Sequence, residues 1–140
     1  MSRLIRLFVL ASGVLASVSL AVEATPPDWN ALAAVETVEI LSENADGSAQ
    51  ETTVWIVVLD GEGYIRTGNT SWYPNLERKP EIAVRIEGKE YAVTAQPITD
   101  QALMDRVEAV FNEKYGWSDT IRGWIFRSTP NIVKLVPRTA

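Results

Sequence analysis

Three cations crowd into one segment of an otherwise acidic chain. Arg66, Arg78 and Lys79 stand among Thr67, Ser71, Trp72, Tyr73 and Asn75, in the run 64–80. A guanidinium, hydroxyls and the backbone N–H groups around Gly68 suit an anion such as a phosphate. Trp72 and Tyr73 can stack on a planar ring. The competing reading is a surface loop in which Trp72 anchors the segment to the core and Arg78 pairs with a neighbouring Glu. Loops carry polar residues for many reasons.

Composition narrows the chemistry. The chain has 140 residues with no His and no Cys. That excludes an imidazole or thiolate zinc site, a Ser-His-Asp or Cys-His pair, disulfides and covalent haem attachment. A net charge of -5 argues against a nucleic-acid partner, which needs a basic footprint. Asp119 and Glu113 lack the companions of a metal site, and no carboxylate pair has a spacing that identifies glycosidase-like chemistry. Asp100, Asp105 and Glu108 read as a solvated helix face.

The elements that must position these groups are mostly strands. Thr37 to Leu41 alternates polar and apolar, and the cluster 44–48 is a turn. Residues 51–59 are β-branched and aromatic (Thr52, Thr53, Val54, Trp55, Ile56, Val57, Val58), with a near-continuous apolar second half. Asp60-Gly61-Glu62-Gly63 turns the chain, and 64–67 pairs back. One helical turn is expected near 73–78. Ile82, Val84 and Ile86 share a strand face, Glu87-Gly88 is a two-residue turn, and Tyr91, Val93 and Ala95 share the next. Thr99 or Asp100 caps one long helix striped by Leu103, Val107, Val110 and Phe111, and Gly116 ends it. A last strand runs over 131–136. Asp28 caps a short helix before the first strand, with Trp29, Leu32, Ala33 and Val35 as its apolar side.

About six hairpin-linked strands with one amphipathic helix predict a mainly β fold, a small antiparallel barrel, in which closure removes exposed edges. A two-layer α+β sheet is the alternative. Tyr115-Gly116-Trp117 and Gly123-Trp124-Ile125-Phe126 are expected to cover the open end of the barrel; a wall over a ligand is the other reading.

The first 24 residues read as a secretory signal. Arg3 and Arg6 precede an uncharged run from Leu7 to Val22, which is short for a membrane span. Ser19-Leu20-Ala21 and Val22-Glu23-Ala24 each offer small side chains at -3 and -1, with the cut placed after Ala24 because Thr25-Pro26-Pro27 cannot extend a helix. The expected mature domain is 25–140, secreted or periplasmic through a Sec-type route and free of the membrane after cleavage. An uncleaved anchor is the competing reading.

The order Trp72-Tyr73-Pro74-Asn75-Leu76, followed by Lys79-Pro80-Glu81-Ile82-Ala83-Val84-Arg85-Ile86-Glu87-Gly88, resembles the deazaflavin-dependent nitroreductase family. These are split β-barrels related to the pyridoxamine-phosphate-oxidase-like FMN binders. Val54 to Val58, then Tyr64 to Thr67, then Trp72-Tyr73 is similar to a further split-barrel family of unknown function, DUF2255. The resemblance extends from about Thr37 to Pro137. It implies a six-stranded antiparallel split β-barrel with one long helix, often a homodimer, that binds a flavin or the deazaflavin F420. By that resemblance Arg66 and Thr67 lie at the phosphate end, Ser71, Trp72, Asn75 and Arg78 follow the cofactor or shape its pocket, and Thr53 and Trp55 face it from the neighbouring strand. Acids stand at 42–48, where the nitroreductase family carries bases, so FMN is favoured over F420, whose tail is acidic.

Two functions follow. One is an exported flavin-type cofactor binder or nitroreductase-like oxidoreductase, in which the cofactor does the redox chemistry. The other is a non-catalytic exported barrel without cofactor, which binds a small apolar ligand or a protein partner through Trp72, Trp117 and Trp124.

Overall fold

The computed structural model describes residues 21–68, 72–116 and 131–138. Their strands are β1 (Thr37–Glu43), β2 (Ala49–Leu59), β3 (Glu62–Thr67), β4 (Glu81–Ile86), β5 (Lys89–Pro97) and β6 (Asn131–Pro137). Two α-helices join them, α1 (Tyr73–Arg78) and α2 (Gln101–Tyr115). The strands close in the order β1-β2-β3-β6-β5-β4, with every pair antiparallel and β4 returning to β1. This is the six-stranded barrel expected from the sequence, not the two-layer sheet.

Two tight turns shape it. Asp60 and Gly61 both take positive φ (52° and 75°), as do Glu87 and Gly88 (49° and 83°). That is the backbone a two-residue hairpin needs to match the strand twist. The first turn therefore closes in two residues rather than four, and β3 begins at Glu62, opposite Leu59.

Alternation divides the side chains. Val38, Ile40, Val54, Ile56, Ile65, Ile82, Val84, Ile86, Val93, Val133 and Leu135 fill the barrel. Each such burial contributes about 1.5–3 kcal/mol. Trp29 joins this core beside Gly63, where an added Cβ would lie 2.8 Å from the indole. The segment before β1 is a single 3₁₀ turn, Asn30–Leu32, shorter than the helix expected there; Asp28 accepts from the Ala31 N–H at 3.4 Å. Trp72 and Leu76 enter the same core from α1.

The outward residues of β2, β3 and β6 form a second core under α2: Val57, Tyr64 and Ile132 pack on Val107 and Phe111. Asp100 caps α2 by accepting from the Leu103 N–H at 3.1 Å. Gly116 ends it at φ 72°, its N–H donating to the Asn112 carbonyl. The apolar stripe predicted for this helix is the face that docks.

Candidate functional site

The period of two along β2 places Thr53, Trp55 and Val57 on the outer face of the barrel, opposite Val54 and Ile56. On β3 the same rule turns Tyr64 and Arg66 outward and Ile65 and Thr67 inward. Thr53, Trp55 and Arg66 therefore share the surface that α2 crosses, while Thr67 does not.

Arg66 is covered by that helix. Its side chain is only 4% exposed, its Nη2 lies 2.8 Å from Glu108 Oε2, and its guanidinium stands 5.6 Å from the Phe111 ring centre. Burial lowers the pKa of Arg66, and Glu108 restores part of it. Burial raises the pKa of Glu108, against the pull of Arg66 and with a push from Asp105. The expectation that Glu108 lies on a solvated face is thus corrected: it is half-buried and is the counter-ion of Arg66.

From Phe111 a row of aromatic rings runs outward. Phe111 and Tyr115 stand 5.9 Å apart, and Tyr115 stacks on Trp55 at 5.0 Å with the planes 13° apart. Trp55 is the open rung, 42% exposed. Tyr115 is held from behind: its hydroxyl is 2.7 Å from the Glu36 carbonyl and accepts from the Ile56 N–H at 3.3 Å. Burial pushes this phenol up to about 12. Lys114 lies 5.3 Å from the Tyr115 ring centre and donates to the carbonyls of Val35 and Ile56; burial lowers its pKa. The last turn of α2 therefore fastens the segment just before β1 to β2 and presents an aromatic ledge beside a cation.

The other sequence-predicted residues gather elsewhere. Thr67 is buried and donates to the Gly68 carbonyl at 3.1 Å. Trp72 is in the barrel core, as the surface-loop reading expects. Asn75, on α1, is buried: its Nδ2 donates to Ser42 Oγ (3.3 Å) and Asn44 Oδ1 (2.9 Å), and its Oδ1 accepts from Arg78 at 2.7 Å. Arg78 also donates to the Glu43 carbonyl at 2.8 Å, and Lys79 pairs with the Glu43 carboxylate at 3.0 Å. These contacts clamp α1 to the end of β1. Ser71, Trp117 and Trp124 lie outside the described residues.

Of the eight candidates, the seven among the described residues fall into an outer-face group (Thr53, Trp55, Arg66) and a barrel-end group (Thr67, Trp72, Asn75, Arg78). Sequence reasoning missed Glu108, Phe111, Lys114 and Tyr115 as members of the first. The signal was present in the i, i+4 spacing of Phe111 and Tyr115, which puts both rings on one helix face.

Comparison with known proteins adds the following. The sequence matches the family described as "Uncharacterized protein conserved in bacteria (DUF2255)" over residues 28–132. No curated protein matches it significantly. Among solved structures, the conserved hypothetical protein Rv2991 from Mycobacterium tuberculosis superposes with a TM-score of 0.65 at 18% identity, over 86% of each chain. HutZ, the heme storage protein from Vibrio cholerae, does so at 0.62 and 16%, over 75% of this chain and 83% of its own. The F420-H2 dependent reductase FDR-A gives 0.55 and 15%, over 71% and 94%. At these identities the likeness is one of fold.

Proposed function

The chain belongs to the DUF2255 family, and from that premise we propose that it is an exported, cofactor-binding split barrel of the flavin type, with FMN favoured over F420 and an oxidoreductase role. The observation that carries this reading is the ledge on the outer face of β2: Trp55, exposed and stacked on Tyr115, with Thr53 beside it on the strand and Lys114 behind. A tricyclic ring system finds there a flat apolar partner. A bound flavin would supply electron transfer; the protein would hold the ring against Trp55 and keep Tyr115 from turning.

Charge and residue content rank the planar cofactors. F420 carries acids on its tail and would meet a chain of net charge -5. A haem needs an axial ligand, and this chain has neither His nor Cys, which leaves only Tyr or Met. The two charged residues 1–6 and the apolar run that follows support export. A homodimer is part of the proposal.

One observation favours the second reading, a non-catalytic barrel that binds a small apolar ligand or a protein partner. Arg66, the cation expected at a phosphate, is neutralised by Glu108 at 2.8 Å. The experiment separates the two. Purified protein is scanned for a bound chromophore and titrated with FMN, FAD and F420, following Trp fluorescence. Binding of FMN at roughly 10–100 µM or tighter, lost in Trp55→Ala, supports the flavin reading. No chromophore and no binding removes it.

A further inference from the structure

We infer that the exported chain begins at Val22, cut between Ala21 and Val22, not after Ala24. The inference rests on the export reading above and refines it.

Both cuts obey the small-residue rule. Ser19-Leu20-Ala21 and Val22-Glu23-Ala24 each present side chains that a leader peptidase accepts at -3 and -1. They differ in what they remove from the folded domain. β6 pairs with β5 as far as Pro137 opposite Val93, and the Arg138 N–H donates to the Ala92 carbonyl at 3.0 Å. Two residues further along the same edge is the Glu90 carbonyl. It accepts from the Glu23 N–H at 2.7 Å, and Val22 forms a parallel bridge with Glu90. Val22 and Glu23 therefore take over the β5 edge where β6 gives out.

The side chains agree with the backbone. Val22 stands over the outer face of β1, β4 and β5, walling a groove of about 220 Å³ with Leu41, Ala83 and Ala92. A few residues later Pro27 and Trp29 are buried. Val22 itself is 49% exposed and residues 23–26 are exposed, so the segment after Ala21 is joined to the domain through its backbone bond to Glu90 and the burial of Pro27 and Trp29.

A cut after Ala24 would take away the donor to Glu90 and uncover the start of β5. A bare strand edge is a template for pairing with another chain, and small barrels avoid leaving one. A cut after Ala21 keeps Glu23 and its N–H donor to the Glu90 carbonyl.

The full chain with its own leader is expressed in a bacterium with Sec export, recovered from the periplasm or medium, and read by intact mass and N-terminal sequencing. A single species that starts at Val22 is expected. A start at Thr25 overturns the inference and leaves export intact. Full-length protein retained in the cell overturns the export reading itself, and this inference with it. Two variants sharpen the result. Ala24→Leu should leave the start at Val22, whereas Ala21→Leu should block processing or move it. The reverse pattern overturns the inference. Finally, the chain that starts at Thr25 should melt a few degrees below the one that starts at Val22; equal midpoints would overturn the structural reason for it.

Discussion

Glu108 on α2 neutralises Arg66 on β3 at 2.8 Å, beside the Phe111 ring, with the arginine side chain almost wholly covered. The pair ties the long helix to the barrel wall. In sequence its members are separated by α1, β4, β5 and the first half of α2.

The first prediction concerns this tie. Arg66→Ala strands a half-buried carboxylate and should cost about 2 kcal/mol or more, part of the carboxylate's contact with water offsetting the loss. Glu108→Gln keeps the shape and should cost less. Urea denaturation of both variants measures the difference. Equal losses would show that the Arg66 stem, not its charge, does the anchoring.

The pH dependence of the same pair has a definite sign. The folded pKa of Glu108 is raised above its ordinary value of 4.5. Between those two values the folded chain holds a proton that the unfolded chain has lost. Its contribution to stability is therefore full below pH 4.5 and declines as pH rises through the raised value. Glu108→Gln should remove that decline. Urea midpoints compared between wild type and variant across about pH 4–7 test it, and parallel curves would contradict the assignment.

The aromatic ledge separates binding from folding. Trp55→Ala removes an exposed rung and should change stability by less than about 1 kcal/mol, while abolishing any ring binding. Tyr115→Phe keeps the stack but deletes the hydroxyl that accepts from the Ile56 N–H, at about 1 kcal/mol. Calorimetric melting together with ligand titration reads both effects.

Asn75 discriminates between a ligand contact and a clamp. Buried, it joins buried Ser42, half-buried Asn44 and exposed Arg78 in one network. Asn75→Ala should destabilise by about 1–3 kcal/mol and leave FMN affinity unchanged. Loss of affinity with normal stability would instead return Asn75 to the cofactor.

Gly63 offers a packing test. A methyl there would meet the Trp29 indole at 2.8 Å, so Gly63→Ala should cost about 1–3 kcal/mol. Combination with Trp29→Leu should recover part of it, and strict additivity of the two would argue against the contact.

Much of the fold was legible in the residues. Period-two alternation in 37–41, 82–86 and 91–95, the turn at Glu87-Gly88 and the stripe of Leu103, Val107 and Phe111 depend on local chemistry: side-chain direction, positive φ and capping. The candidate site was less legible. The cations of 64–80 are close in sequence, yet β3 sends Arg66 to the outer wall while α1 carries Arg78 to the barrel end.

Sequence alone determined which side chains alternate, where the chain turns and that no imidazole or thiolate chemistry is available, because these depend on composition and on neighbours within a few residues. Tertiary structure decided that Arg66 meets Glu108, that Tyr115 braces Trp55 and that Asn75 serves a clamp. Those contacts arise when the closed sheet brings distant segments together, and neighbouring residues on a strand point to opposite faces, so closeness along the chain does not predict closeness in space.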